Sequence, residues 1–236
     1  MKKFVCALIA ISFALTMSGG FTYAQAQAQT QSGVSLILCD CDTGQVLSQT
    51  NADQKRPIAS VTKIMTLLIA AQELEAGRLR FDDEIVASHH ASTIGGSVIW
   101  LEENERMSAY DIIRSVVISS ANDSCVALAE HISGSEEEFV KRMNASAKEL
   151  MMTSTNFTNC TGLDDENHYS TAADVAKMAA QLRKYSYFDE FFLTRLTYVR
   201  EGTERETQLL NTNKLITSYE GITGLKTGTT DNAGYC

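Results

Sequence analysis

The chain has 236 residues, with 29 acidic and 20 basic side chains and a net charge of −9, which argues against a nucleic-acid-binding protein. Hydrophobic residues make up 44% and charged residues 21%, the balance of a folded protein and not of a disordered one. The length suits one large domain or two small ones with a sizeable core, and excludes a small scaffold held by disulfides.

Lys2 and Lys3 precede the apolar run Phe4 to Met17, which is too short to span a bilayer, and small residues follow at Ala24, Ala26 and Ala28. Residues 1–24 read as an export signal cleaved after one of those alanines, so the chain is expected to work outside the cytoplasm. Gln25 to Gly33 is a low-complexity linker, and 34–236 is the folded domain. Cys6 leaves with the signal. The remaining Cys39, Cys41, Cys125, Cys160 and Cys236 are odd in number, so at least one stays free, and most suit small buried apolar positions.

Val34 to Cys41, the turn residues Asp42-Thr43-Gly44 and Gln45 to Gln49 predict a β-hairpin. Val61 to Ala76 predicts a helix ending at Gly77, with Ser60 at its N-terminus. Residues 78–107 read as loops and short strands. Three capping patterns follow, Ser108 with Asp111, Ser135 with Glu138 and Thr171 with Asp174, each ahead of an apolar helical run. The acidic run Glu136-Glu137-Glu138 is explained by the start of its helix. Leu196 to Arg200, Thr207 to Leu210 and Ile222 to Thr230 read as strands, and the chain stops soon after with no further strand to pair the last of them. The order of strands, helices and strands predicts an α+β fold.

Ser60-Val61-Thr62-Lys63 puts a hydroxyl and an amine on one helix face, one turn apart, so that a base lies beside a nucleophile. Alone, such a pattern arises about once by chance in a chain this long. Ser120-Ala121-Asn122 between two helices and Lys226-Thr227-Gly228 in a strand complete the set S-x-x-K, S-x-N and K-T-G in order. His168 with Asp174 invites a Ser-His-Asp triad, but Lys63 already supplies a base, and His168 is better read as structural, fixing the loop before the helix. His89-His90 lacks partners at ligand spacing, so no metal and no cofactor are expected.

With these motifs, and with Asp42-Thr43-Gly44, Asn156-Phe157, Gly162-Leu163, His168 to Ala172, Asn211-Thr212-Asn213 and Ala233 to Cys236, the chain from Val34 to Cys236 resembles the serine D-alanyl-D-alanine carboxypeptidases, the low-molecular-mass penicillin-binding proteins. The resemblance implies a β-lactamase/transpeptidase-like α+β fold, an antiparallel sheet packed with helices plus a helical subdomain. Family members continue past the K-T-G strand, so the last strands and a closing helix are expected to be missing here.

The resemblance further implies that Ser60 attacks the bond between two terminal D-alanines of a peptidoglycan stem peptide and forms an acyl-enzyme, with β-lactams as covalent inhibitors. Lys63 would be the base, active only when neutral, which burial and the second cation Lys226 favour. Ser120 would relay a proton and Asn122 hold a substrate amide. Lys226, Thr227, Gly228 and Thr229 would bind the peptide as an added strand, with the N–H groups of Ser60 and Thr229 as oxyanion hole. A DD-endopeptidase or a non-turnover penicillin-binding protein would use the same motifs. A class A β-lactamase fits less well, because Ser120-Ala121-Asn122 stands where S-D-N is expected. Nothing in the sequence points to nucleic acid or to membrane attachment.

Overall fold

The computed structural model describes residues 33–236; the expected export signal and nearly all of the linker lie outside the described residues. The hairpin forms as β1 (Leu36–Cys39) and β2 (Val46–Thr50), paired antiparallel with Leu36 opposite Thr50 and a bulge at Leu38/Cys39. A 3-10 turn, Ala59–Thr62, leads directly into α1 (Lys63–Glu75), so Ser60 sits in that turn and Lys63 begins the helix. Every residue of α1 from Lys63 to Ala71 is buried, which its nearly unbroken apolar sequence permits. Gly77 ends it with φ +66°.

Residues 78–108 hold β3 (Glu84–Val86), a short α2 (His89–Thr93) and β4 (Arg106–Ser108), with β3 and β4 paired antiparallel. Then come α3 (Ala109–Ile118), α4 (Asn122–Ser133), α5 (Glu136–Glu149), α6 (Ala172–Leu182) and α7 (Asp189–Leu193). All three expected caps form. The hydroxyls of Ser108, Ser135 and Thr171 each accept the N–H of the residue three places on, at 3.1 Å. α1 packs against α4 and α6, and α4 packs against α3 and α5. The buried helices α1 and α4 form the centre of the core, and the N-terminal ends of both carry motif residues.

β5 (Leu196–Val199) and β6 (Thr207–Leu210) form a second regular hairpin. The strand expected over residues 222–230 shrinks to β7 (Thr229–Thr230). The reason lies in Gly221 and Gly224, at φ +86° and +126°, which turn the chain where a strand needs extended backbone. The expectation that β7 lacks a neighbour is also corrected. Residues 231–233 turn the chain, and β8 (Gly234–Tyr235) returns antiparallel to β7. The fold is α+β, but among the described residues its strands form four two-stranded ladders and not one continuous sheet.

The cysteines divide. Cys125 and Cys160 are buried, with the Cys125 thiol donating to the Cys160 carbonyl at 3.1 Å, whereas Cys41 and Cys236 are exposed and all five described cysteines are free. Buried apolar packing therefore suits two of them and not most.

Candidate active site

The turn before α1 is shaped by close approach. Ala59 adopts φ +45°, a region that non-glycine residues seldom occupy, and its carbonyl lies against Gly162. A Cβ on Gly162 would fall 1.8 Å from Ala59 O, and one on Gly228 would fall 2.8 Å from Ser60 N. Two glycines from distant parts of the chain thus let backbone close on both sides of Ser60.

Lys63 is fully buried and its Nζ donates to three oxygens: Ser60 Oγ at 2.9 Å, Asn122 Oδ1 at 2.7 Å and Thr161 O at 2.7 Å. The character of these partners matters. An amide oxygen and a carbonyl can only accept, whereas a hydroxyl can accept or donate. A neutral Lys63 therefore keeps two N–H bonds to Asn122 and Thr161 and turns its lone pair toward the Ser60 hydroxyl, so one arrangement serves both protonation states. Burial pushes the Lys63 pKa down, against the opposing influence of Cys125, Cys160 and Asp123. Lys226 is brought down to about 7, by burial first and by the charge of Lys63 second.

Ser120 stands between α3 and α4 with φ +62°. It is 5% exposed, and its Oγ has no hydrogen-bond partner. Lys63 does not bond to it. Asn122 is held by its Nδ2 donating to Gly95 O at 2.7 Å, while its backbone N–H donates to Ser97 O at 2.6 Å. The second Nδ2 hydrogen stays available. Gly96 must remain glycine here, since a Cβ would meet Asn122 Nδ2 at 2.6 Å.

Ser60, Ser120, Thr227, Gly228 and Thr229 line one cleft of about 610 Å³, together with Ser97, the segment Thr212 to Leu215, Tyr235 and Cys236. Lys63, Asn122 and Lys226 stand behind that wall; the Lys226 amine donates to Thr227 O at 3.0 Å. The Thr227 hydroxyl is taken up by Thr212 Oγ1 at 2.8 Å, which leaves Thr229 as the strand's open hydroxyl. Gly228 and Cys236 exchange both backbone hydrogen bonds. Thr229, opposite Tyr235 in the next register position, therefore points its own N–H away from β8.

His168 is structural, but it acts elsewhere than expected. Its Nδ1 accepts the Thr158 N–H at 3.2 Å, so Nε2 carries the proton and donates to Thr62 Oγ1 at 2.8 Å, bracing the turn that bears Ser60. Burial lowers its pKa to about 4, so it is neutral. Asp174 binds Ser154, Thr155 and Lys177 instead. His89 and His90 pair with Glu103 and Glu136, and Glu136 is no mere surface charge, because its other oxygen accepts the Cys160 N–H at 2.9 Å.

Sequence reasoning missed the carbonyls of Thr161 and Gly95, which carry no side-chain signal, and Asp164, whose Oδ1 accepts the Thr230 hydroxyl at 2.6 Å. No group of three or more His, Cys, Asp or Glu side chains among the described residues is placed to hold a metal. No helix among them is long and apolar enough to cross a membrane.

A family model described as D-alanyl-D-alanine carboxypeptidase, Peptidase S11, matches residues 22–236. D-alanyl-D-alanine carboxypeptidase DacF of Bacillus subtilis is 46% identical over 202 residues, covering 86% of this chain and 52% of that protein. DacC of Escherichia coli is 36% identical over 206 residues, covering 84% and 50%. Among solved structures, penicillin-binding protein 5 of Haemophilus influenzae superposes with a TM-score of 0.79 at 32% identity, covering 85% of this chain and 58% of that one. The chain spans about half the length of the curated relatives it matches.

Proposed function

The chain belongs to the D-alanyl-D-alanine carboxypeptidase family of serine peptidases, and from that premise we propose that it removes the terminal D-alanine of peptidoglycan stem peptides through an acyl-enzyme on Ser60. The observation that carries this reading is the buried Lys63 bonded to Ser60 Oγ while its other two hydrogens go to oxygens that can only accept.

The steps follow from that arrangement. Ser60 Oγ attacks the carbonyl between the two D-alanines and gives its proton to neutral Lys63. The oxyanion is met by the N–H groups of Ser60 and Thr229, the latter facing away from β8. Ser120, with its unbonded hydroxyl, passes the proton from Lys63 to the departing amine, and D-alanine leaves. Water then cleaves the ester. The second Nδ2 hydrogen of Asn122 is offered to a substrate carbonyl. The terminal carboxylate meets the Thr229 hydroxyl over the charge of Lys226, with Gly228 keeping the edge open. β-Lactams acylate Ser60 by the same route. Cell-wall peptide as substrate requires an extracytoplasmic place of work, which the N-terminal signal pattern supports.

Intact-mass measurement after incubation with benzylpenicillin tests this reading. One adduct is expected on the unsubstituted chain and none on Ser60→Ala, with circular dichroism unchanged. A folded chain that takes up no adduct would overturn it. Release of free D-alanine from an uncrosslinked pentapeptide then separates a carboxypeptidase from an endopeptidase or a non-turnover receptor.

The two lysines set opposite pH limbs. Lys63 must be neutral, so acylation gains as pH rises. Lys226 must be charged, and its cation, present at low pH, is lost as pH rises; with Lys63 neutral only burial holds its pKa down, so the loss lies above about 7. The second-order rate constant for benzylpenicillin is expected to fall on that alkaline side. Lys226→Arg, whose guanidinium stays charged, is expected to move the fall to higher pH. A stopped-flow pH profile of both proteins checks it.

A further inference from the structure

Residues 159–164 belong to none of the three motifs, yet they contact the first and lie near the other two. Thr161 O accepts from Lys63, Gly162 closes on Ala59 beside Ser60, and Leu163 lies 3.7 Å from where a Cβ on Gly96 would stand, next to Asn122. Asp164 reaches the chain just past the third: Oδ1 accepts the Thr230 hydroxyl at 2.6 Å and Oδ2 faces the Asn232 N–H at 3.4 Å. The segment is stiff. Asn159 Oδ1 accepts from Thr161 N, Thr161 Oγ1 and Gly162 N, and its Nδ2 donates to Leu163 O. β7, by contrast, is two residues long and pairs with an equally short β8, a ladder that only the Gly228–Cys236 pair extends.

We propose that Asp164 is a positioning residue for the carboxylate-binding side of the cleft. Its bond to Thr230 sets where β7 lies relative to Ser60, and so where the Thr229 N–H and hydroxyl and the Lys226 charge fall. It leaves the Ser60–Lys63 pair to the other end of the same segment. The inference rests on the proposed acylation of Ser60 and adds that one segment braces the Ser60–Lys63 pair at one end and the carboxylate-binding strand at the other.

The test compares two reagents on the full chain: benzylpenicillin, which bears a carboxylate, and a fluorophosphonate, which bears none. Asp164→Ala is expected to slow acylation by benzylpenicillin about 10- to 100-fold, the scale of a small misplacement of a binding group. Fluorophosphonate labelling, which draws on the Thr229 N–H but on no carboxylate contact, is expected to lose clearly less than benzylpenicillin acylation does. Asp164→Asn, which keeps an oxygen for the Thr230 hydroxyl, is expected to recover most of the loss. Thr230→Val, nearly isosteric, also strips the acceptor of the Ala233 N–H and is expected to cost at least as much, with the Asp164→Ala/Thr230→Val pair no slower than Thr230→Val alone. Equal losses with both reagents, no loss with either, or additive losses in the pair would overturn the inference while the acylation reading stands. An unsubstituted chain labelled by fluorophosphonate but not by benzylpenicillin would overturn both.

Discussion

Replacing Lys63 with methionine is expected to abolish acylation of Ser60 by benzylpenicillin, slowing it by about 10⁴-fold or more, while the chain stays folded. A general base alone contributes about 10²- to 10⁴-fold, and groups that act as a unit lose nearly everything when one is removed. Stability moves in both directions and nearly cancels. Methionine relieves the cost of holding an amine in a fully buried position. It also strips a partner from Asn122 Oδ1 and Thr161 O, at about 1–3 kcal/mol for each buried group left unpaired. The melting temperature is therefore expected to shift by only a few degrees, and Lys63→Arg to be equally inactive, because a guanidinium cannot become neutral. Intact mass and a thermal melt on the same samples decide it; a Lys63→Met chain that takes up the adduct at the parent rate would contradict the assignment of the base.

Gly162→Ala is expected to have the largest effect on stability of any single added methyl. The new Cβ would fall 1.8 Å from Ala59 O and 2.9 Å from Thr62 Oγ1, at φ +87°. Left-handed backbone costs an L residue about 1–2 kcal/mol and forced overpacking about 1–3 kcal/mol, so a loss of about 2–5 kcal/mol follows. For a chain of this size that lowers the melting temperature by roughly 4–20 °C. Acylation is expected to slow even well below the melt, since the Ala59 carbonyl can move only by taking Ser60 with it. Gly202→Ala provides the comparison. Its φ is +74° but nothing lies within 4 Å of the added carbon, so only the backbone strain of about 1–2 kcal/mol remains, and the site is untouched. Equal melting temperatures for the two variants would show that the contact at Ala59 carries no weight.

What the sequence disclosed was what side chains and local rules encode. The capping hydroxyls of Ser108, Ser135 and Thr171 are legible because an N-cap is a local bargain between a side chain and the backbone three residues on. Ser60 with Lys63 is legible because helical spacing puts them on one face, and the two later motifs mark the segments that must come near. The remainder of the site is made by backbone. The acceptors that orient Lys63 and Asn122 are carbonyls of Thr161 and Gly95, and any residue could supply those. Asp164 is one acid among 29, and its value depends on a partner 66 residues away. The shortened β7 shows the converse. Residues 222–230 read as a strand, but the positive φ of Gly221 and Gly224 is a conformational choice that glycine permits without announcing.

The position of the site at the ends of two buried helices divides its residues by how freely they can vary. Lys63 and Asn122 are core residues as much as site residues, so almost any change to the floor of the cleft disturbs the packing of α1 or α4. The opposite wall is different. Lys214 and Leu215 line the same cleft from an exposed 3-10 turn, with Leu215 52% exposed, and substitutions at such positions usually cost little stability. Selection for an altered ligand therefore has room to act on that rim and almost none on the floor. Drift in substrate preference among related chains should accumulate there first.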